Sequence, residues 1–435
     1  MKIFSCLLFL LCWTTSALCL EGVKSVKIAV ENPTNSVRAA ADVVLSIPDL
    51  RKSAPDFTPG SVIVTCTSAA TLEQDAAITE STELPSQVDD LDGDGKGDEI
   101  AFQIDLGPNQ TRIVTIFYGP PDRIVRIRNE YPERTNALFS SKIEGLGWES
   151  ERIAFRVYFD PRNDIDIYGK RSRSLQLKLF ASPDYPYHEE SPKGRDIFKI
   201  GESIGIGAVA AWADGKLVKA ADVRERKWRI VSVGPVRAIV ELEYSGWNLG
   251  PETITLRSRI VQWAGEHGFY HTIAVDPPSS TEFVSGVTAK QGVALEKSIP
   301  DDAGSVAWLA TWGEQVVAPG ATATEAMSGQ NLGLAVLTNM QPVKFTADRL
   351  NDLFRFRLHD GKAGWYAMAA WDQEDTEQYD ESVNKQGTHF HLPATLLPGS
   401  ISTKGAFLSA VKDQALRMRS PIIVHVLPSS SSTGG

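Results

Sequence analysis

Short runs in which apolar residues alternate with polar ones recur along this chain, and they constrain its fold more than any other feature. Val26, Ile28 and Val30 stand between polar neighbours, and Leu175, Leu177 and Leu179 repeat the pattern. A period of two is what a strand with one buried face requires. Ile113 to Tyr118, Ile153 to Phe159, Trp228 to Tyr244 and Thr253 to Trp263 are further β-branched or aromatic runs, divided by clusters of Gly, Pro, Asn and Asp. Val233-Gly234-Pro235 interrupts the Trp228 to Tyr244 run, which predicts two strands or one strand with a bulge. Helical signal is confined to two places. Thr346 can cap a short helix, with Phe345 and Leu350 as a hydrophobic staple and Leu350, Leu353 and Phe354 as its apolar stripe. Ala410 to Met418 is the second. The expectation is a mainly-β protein.

The chain has 435 residues, enough for two or three domains. With 42% hydrophobic and 23% charged residues it can bury a core. Its 44 Lys and Arg against 54 Asp and Glu leave a net charge of −10, which argues against a nucleic-acid binder. An anionic substrate is compatible with that total, because cations can cluster locally. No segment after residue 20 has the apolar length of a membrane span.

Residues 1–19 read as a signal peptide: Lys2, an apolar stretch from Ile3 to Trp13, then the small-residue region Thr14 to Cys19. Cleavage after Ala17 or after Cys19 fits equally well, and either predicts a secreted or periplasmic protein. A lipid on Cys19 is disfavoured by Ser16, which stands where a lipoprotein usually has Leu. Cys6, Cys12 and Cys19 fall in the leader or at its edge. The mature chain then keeps Cys66 alone, without a disulfide framework or a Cys-ligated zinc site. Cys66 ends an apolar run and is expected to be a buried strand residue.

Asp90-Leu91-Asp92-Gly93-Asp94-Gly95-Lys96-Gly97-Asp98-Glu99 is a calcium-loop pattern. Carboxylates of Asp90, Asp92, Asp94 and Asp98 can converge on one hard cation, Gly95 allows the sharp turn, and the Lys96 carbonyl supplies a further oxygen. Ala101 stands where a full EF-hand has its bidentate Glu, so a shorter, structural calcium clamp is expected. An acidic turn without metal is the alternative.

Two stretches resemble a bacterial family, domain of unknown function 4861. One is Leu84 to Gly95 followed by Gly107 to Thr115; the other runs from Trp148-Glu149-Ser150-Glu151-Arg152 through Ile165-Asp166-Ile167-Tyr168-Gly169-Lys170-Arg171 to Tyr187-His188 and Asp196 to Gly201. The resemblance implies a secreted or periplasmic protein of polysaccharide-degrading bacteria. It also implies a β-sandwich at residues 20–128 carrying the calcium-type loop. A larger, galactose-mutarotase-like β-supersandwich at 129–428 and a disordered tail at 429–435 would follow. Residues 129–147 show no periodicity and read as the connection. The activity implied is on uronic-acid-containing oligosaccharides, by elimination or dehydration at a uronate. In one respect the chain departs from the family: Glu189 to Gly194 fills the interval where a second acidic-plus-His cluster is expected.

Such chemistry needs a base for the proton beside the carboxylate, a cation to neutralise that carboxylate and an acid for the leaving oxygen. His188 and Tyr187, in a polar Pro-flanked stretch, are the candidate catalytic pair. Arg152, Arg156, Lys170 and Arg171, with Arg173 beside them, are the candidate carboxylate grips, because a guanidinium can pair a carboxylate bidentately. The ordinary alternative is that these cations line the solvent side of a strand. His389 and His391 are two apart, so on a strand both rings share one face roughly 7 Å apart, suited to substrate or metal. His267 and His271 lack the helix and the Glu of a zinc motif and read as structural or cleft-lining. Trp212, Trp365 and Trp371 are candidates for stacking on sugar. A calcium-stabilised carbohydrate-binding protein without activity and a glycoside hydrolase with two spaced carboxylates are the competing readings. No organic cofactor is implied, and the oligomeric state is open.

Overall fold

The computed structural model describes residues 22–67, 81–290, 292–300, 302, 304–315, 327–375 and 399–428. The expected leader, the tail and both His389 and His391 lie outside the described residues.

The chain is mainly β, as the alternation predicts. Its first unit is a sandwich of two sheets. A five-stranded sheet is ordered Ile423–Val426, Lys24–Glu31, Thr111–Tyr118, Val62–Thr67, Ser81–Leu84; a three-stranded sheet is ordered Arg38–Ser46, Glu99–Leu106, Ser86–Asp89. Val26, Ile28 and Val30 point inward with Val43, Phe102, Val114 and Ile116, and Cys66 is buried among them. The strand Ile423–Val426 pairs antiparallel with Lys24–Glu31, so the end of the chain returns to a unit expected to close at residue 128.

The second unit is larger. Its main sheet has eight strands in the order Glu225–Ser232, Arg237–Asn248, Thr253–Trp263, Gly268–Asp276, Lys362–Trp371, Met327–Thr338, Ala307–Gln315, Leu295–Ser298. Two five-stranded sheets cover its inner face. One is Arg195–Asp196, Ile165–Gly169, Ile153–Tyr158, Gly145–Ser150, Thr135–Ser140; the other is Lys216–Val218, Ala210–Ala213, Glu282–Thr288, Asn351–Phe356, Val343–Ala347. Trp148, Phe155, Leu242, Leu256, Ile273, Phe283 and Leu334 fill the space between. The outer face is half covered by the helix Lys404–Arg419, which inserts Phe407 and Val411. Thr403 starts that helix by accepting the Ala406 amide at 3.2 Å. Gly333 leaves room for it: a Cβ there would lie 2.8 Å from the Phe407 ring.

Three local expectations are corrected. Thr346 caps no helix; Val343–Ala347 and Asn351–Phe356 form a hairpin, with Leu353 and Phe354 packed from the sheet. Leu177 to Phe180 is a single helical turn, because Glu149 accepts the Gln176 and Leu177 amides, each at 2.9 Å. The supposed connection at 129–147 holds the strand Thr135–Ser140 and the start of Gly145–Ser150. The break at Val233-Gly234-Pro235 does separate two strands.

Gln87 joins the two units. Its side-chain carbonyl accepts the Val236 and Arg237 amides at 3.0 Å, while Arg237 is ion-paired to Asp89 and Glu99.

Candidate functional site

The strands Gly145–Ser150 and Ile153–Tyr158 are buried at every position, including their charged residues. A charge taken out of water must be paired or heavily hydrogen-bonded. Lys170 pairs with Glu149, both without solvent exposure, and also donates to the Ser150 and Ser174 carbonyls at 2.6 and 3.0 Å. Burial pulls its ammonium below the usual lysine range. Glu151 accepts Arg134 and the Gly265 amide. Burial alone would raise its carboxyl, but Arg134 and that amide hold it below the usual value. Arg156 donates to Asp166 at 2.7 Å, Asp196 at 2.9 Å, the Tyr158 hydroxyl at 2.6 Å and the Tyr187 hydroxyl at 3.3 Å.

These contacts correct three site expectations. Lys170 and Arg156 are not available to grip a substrate, because their donors are used inside the protein. The Tyr187 side chain is buried; its hydroxyl faces inward, accepting Arg156 and donating to the Lys142 carbonyl at 3.2 Å. It packs against Tyr168 and the ring of His188, and is in no position to protonate a leaving group.

The outer edge of the same sheet is different. His188 is 69% exposed, and its Nδ1 lies 3.5 Å from Asp196. Burial of its inner edge and the nearby Arg156 guanidinium lower its pKa. Burial and the neighbouring Asp166 raise the Asp196 carboxyl. Beside it, Arg195 reaches Glu190, and Glu190 is also ion-paired to Arg171. Arg171 spreads over the Trp371 ring at 5.0 Å and donates to Gln373 at 3.3 Å. Asp375 accepts Arg173 through both oxygens at 3.0 Å and Arg152 at 2.9 Å. The Arg152 side chain has no solvent exposure, yet its Nε and Nη2 have no hydrogen-bond partner among the described residues. His188 and Arg171 thus share one chain of polar contacts through Asp196, Arg195 and Glu190, and Arg173 and Arg152 share a second one at Asp375.

Trp371 is buried, with Nε1 donating to Gln330 at 3.2 Å. Gly169 is required beneath it, since a Cβ would stand 2.4 Å from the indole. Trp365 is a core residue that donates to the Gly207 carbonyl, and Trp212 is half-buried near Arg355. Sugar stacking on Trp365 or on the face of Trp371 that meets Gly169 is therefore excluded. His267 is buried against Glu374 at 2.7 Å; His271 bonds the Gly207 carbonyl, and burial lowers its pKa to about 4. The two histidines face different partners, as expected for structural residues.

In the acidic loop, carboxylate oxygens of Asp90, Asp92 and Asp98 lie within 4.8 Å of one another. Asp94, expected as a fourth ligand, turns instead to the Lys96 amide at 2.8 Å and its ammonium at 3.0 Å.

Sequence reasoning missed Asp196, Glu190 and Asp375. A signal for the first was present, since an Asp between Arg195 and Ile197 in an apolar stretch needs a partner. Asp375 lies more than 200 residues from the arginines it joins, and no local pattern reveals that.

The architecture is a β-sandwich protein with a buried ion-pair network opening onto an arginine-rich edge. The chain belongs to the family described as a domain of unknown function, DUF4861, which matches residues 30–386. It is 25% identical over 329 residues to "Uncharacterized protein P7" of Formosa agariphila, covering 68% of this chain and 75% of that one. Among solved structures it is similar to a protein in glycosyl hydrolase family 38 from Enterococcus faecalis, with TM-score 0.46 and 8% identity over 93% of this chain. An alpha-mannosidase from Enterococcus faecalis V583 has the same TM-score and identity. The chain spans about half the length of these two structures, 47% and 46%.

Proposed function

We propose that this protein is a carbohydrate-active enzyme that removes a group from a uronate by elimination or dehydration. Arg152, Arg171 and Arg173 would receive the sugar carboxylate. His188, oriented by Asp196, would take the proton from the carbon beside it. The electron pair left on that carbon forms a double bond to the next, and the leaving oxygen departs as water or as a sugar hydroxyl by taking up the proton that His188 has just accepted. The observation that carries the reading is Arg152, a buried guanidinium with two donors unused among the described residues, sharing Asp375 with Arg173. Unused buried donors are costly, and a planar carboxylate satisfies a guanidinium bidentately. Burial and the Arg156 guanidinium lower the His188 pKa, which favours the neutral imidazole that a general base needs.

Acidic algal and plant oligosaccharides followed by mass spectrometry and ultraviolet absorbance test it. Loss of one water, or a new conjugated uronate, is expected, and His188→Ala should abolish it. Full activity in that variant would remove His188 from the mechanism. Gain of one water would mean hydrolysis instead, and binding without turnover would mean a carbohydrate-binding protein.

The Asp90, Asp92 and Asp98 oxygens suit a hard cation such as calcium, which takes oxygen ligands at about 2.3–2.6 Å. Its role would be to clamp the first unit. Calcium should raise the thermal midpoint, and Asp90→Asn should abolish that rise; an unchanged midpoint with calcium would defeat the assignment.

A further inference from the structure

A cavity of about 1130 Å³ lies over the outer face of the eight-stranded sheet, where the helix Lys404–Arg419 does not reach. Strand register explains its lining. Lys227, Glu243, Arg257, Ala274 and Lys362 are successive cross-strand partners and form one row. Arg229, Glu241, Arg259, Thr272 and Gly364 form the next. All ten share a face, because residues two apart on a strand point the same way. The intervening residues, such as Leu242 and Ile273, point into the core.

With Arg357 at the rim, six cations and two carboxylates line this groove, in a chain whose net charge is −10, and Lys227 and Arg357 also reach Glu225 and Glu282 just outside it. Glu241 takes Arg229 and Arg259, and Glu243 takes Arg257. Lys362 has no ion pair among the described residues. Arg257 is 54% and Arg259 40% exposed, so these pairs are solvated and each is worth at most about 1 kcal/mol. An incoming anion can replace the glutamates at little cost.

We propose that this groove is a binding site for an extended acidic polysaccharide, separate from the arginine-rich edge. Three observations select that partner. The first is the cationic excess. The second is spacing: Lys227, Arg257 and Lys362 stand on alternate strands, roughly 9.5 Å apart at the usual strand separation. That interval is commensurate with the two-sugar repeat of an extended pyranose chain bearing one charge per repeat. Duplex DNA, with one charge per ~1.7 Å of axis, is far denser than this ladder. The third is the floor, where Ala274, Thr272 and Gly364 leave a low, partly apolar strip between the charges. The groove lies at the Lys362 end of the strand Lys362–Trp371 and the arginine-rich edge at its Trp371 end, roughly 30 Å away at strand rise. It therefore serves to hold a polymer, whatever chemistry the other site performs.

Native gel electrophoresis through immobilised polysaccharide tests this on the whole protein without requiring turnover. Its arms are a polyuronate, a sulfated polysaccharide, a neutral polysaccharide and single-stranded DNA. Retardation by at least one of the two acidic polysaccharides is expected, weakening with added salt, and the two arms tell carboxylate from sulfate. Arg257→Ala combined with Lys362→Ala should raise the apparent Kd by about tenfold or more. Lys362→Ala alone breaks no ion pair and should raise it by a smaller factor with an unchanged melting temperature. His188→Ala should be retarded like the unaltered protein, which separates this site from the proposed catalytic one. The proposal is overturned if neither acidic polysaccharide retards the protein, if the double variant is retarded equally, or if DNA is retained more strongly.

Discussion

Lys170 and Glu149 meet with no solvent exposure, whereas Arg257 and Glu243 on the outer face of the eight-stranded sheet are 54% and 28% exposed. Both are cation–carboxylate pairs, Glu243 and Arg257 on adjacent strands and Glu149 and Lys170 across an intervening one, yet they do opposite things. In the buried pair, desolvation is offset only while both partners and their extra hydrogen bonds are present, so the pair fixes the geometry of the strands around it. In the exposed pair water competes at every moment, so the partners are exchangeable. The second kind leaves its cations free to exchange a partner for a ligand, whereas a buried cation can meet one only where, like Arg152, it keeps unused donors. That difference explains why most of the arginines and lysines near Arg152 are structural, while a plainer stretch of alternating Arg and Glu forms the larger open surface.

The largest effect expected on this comparison comes from breaking the buried pair. Lys170→Met leaves Glu149 buried without its cation and should lower stability by about 3–5 kcal/mol, read as a shift of the urea midpoint. A shift below about 1 kcal/mol would mean that the pair behaves like a surface one.

A middle case is Lys290, buried and, among the described residues, with its ammonium donating to the Leu332 carbonyl alone, at 3.0 Å. Burial lowers its pKa to about 7. In the unfolded chain a lysine titrates near about 10.4, so between these values the unfolded state holds a proton that the folded state lacks. Stability should therefore rise from pH 7 to pH 9, by at most about 1.4 kcal/mol per pH unit from this group. Lys290→Met should flatten that slope in urea titrations at the two pH values.

The smallest effect is expected at the surface. Arg257→Ala removes a solvated pair and should shift the unfolding free energy by no more than about 0.5 kcal/mol. A loss of 2 kcal/mol or more would place it with the buried pairs and make the groove part of the scaffold.

Much of the strand content was legible in the sequence, because a period of two records one buried face directly. The buried Cys66, the split at Val233-Gly234-Pro235 and a helix over Ala410 to Met418, which the structure extends back to Lys404, follow from local chemistry in the same way. The failures share a cause. Leu175 to Leu179 alternate like a strand, but Glu149, from a distant strand, accepts two amides there and closes a helical turn. Thr346 has a capping pattern, yet pairing of Val343–Ala347 with Asn351–Phe356 overrides it. Of the site residues, the cationic character was visible, but which cations were already paired was not. Lys170, Arg156 and Arg171 look alike in the sequence; burial assigns the first two to Glu149, Asp166 and Asp196 and leaves the third at the edge over Trp371.

The sequence by itself determined that this chain builds sheets, carries an acidic loop able to gather carboxylates, and keeps a clustered set of arginines. Those properties reside in neighbouring residues and in local periodicity. Only the tertiary structure decided which charges are enclosed and which are open. Burial and pairing depend on strands far apart in the chain, as when Asp375 joins Arg173 across 202 positions. The row of cations on the outer face likewise exists only because four successive strand pairings hold Lys227, Arg257 and Lys362 in register.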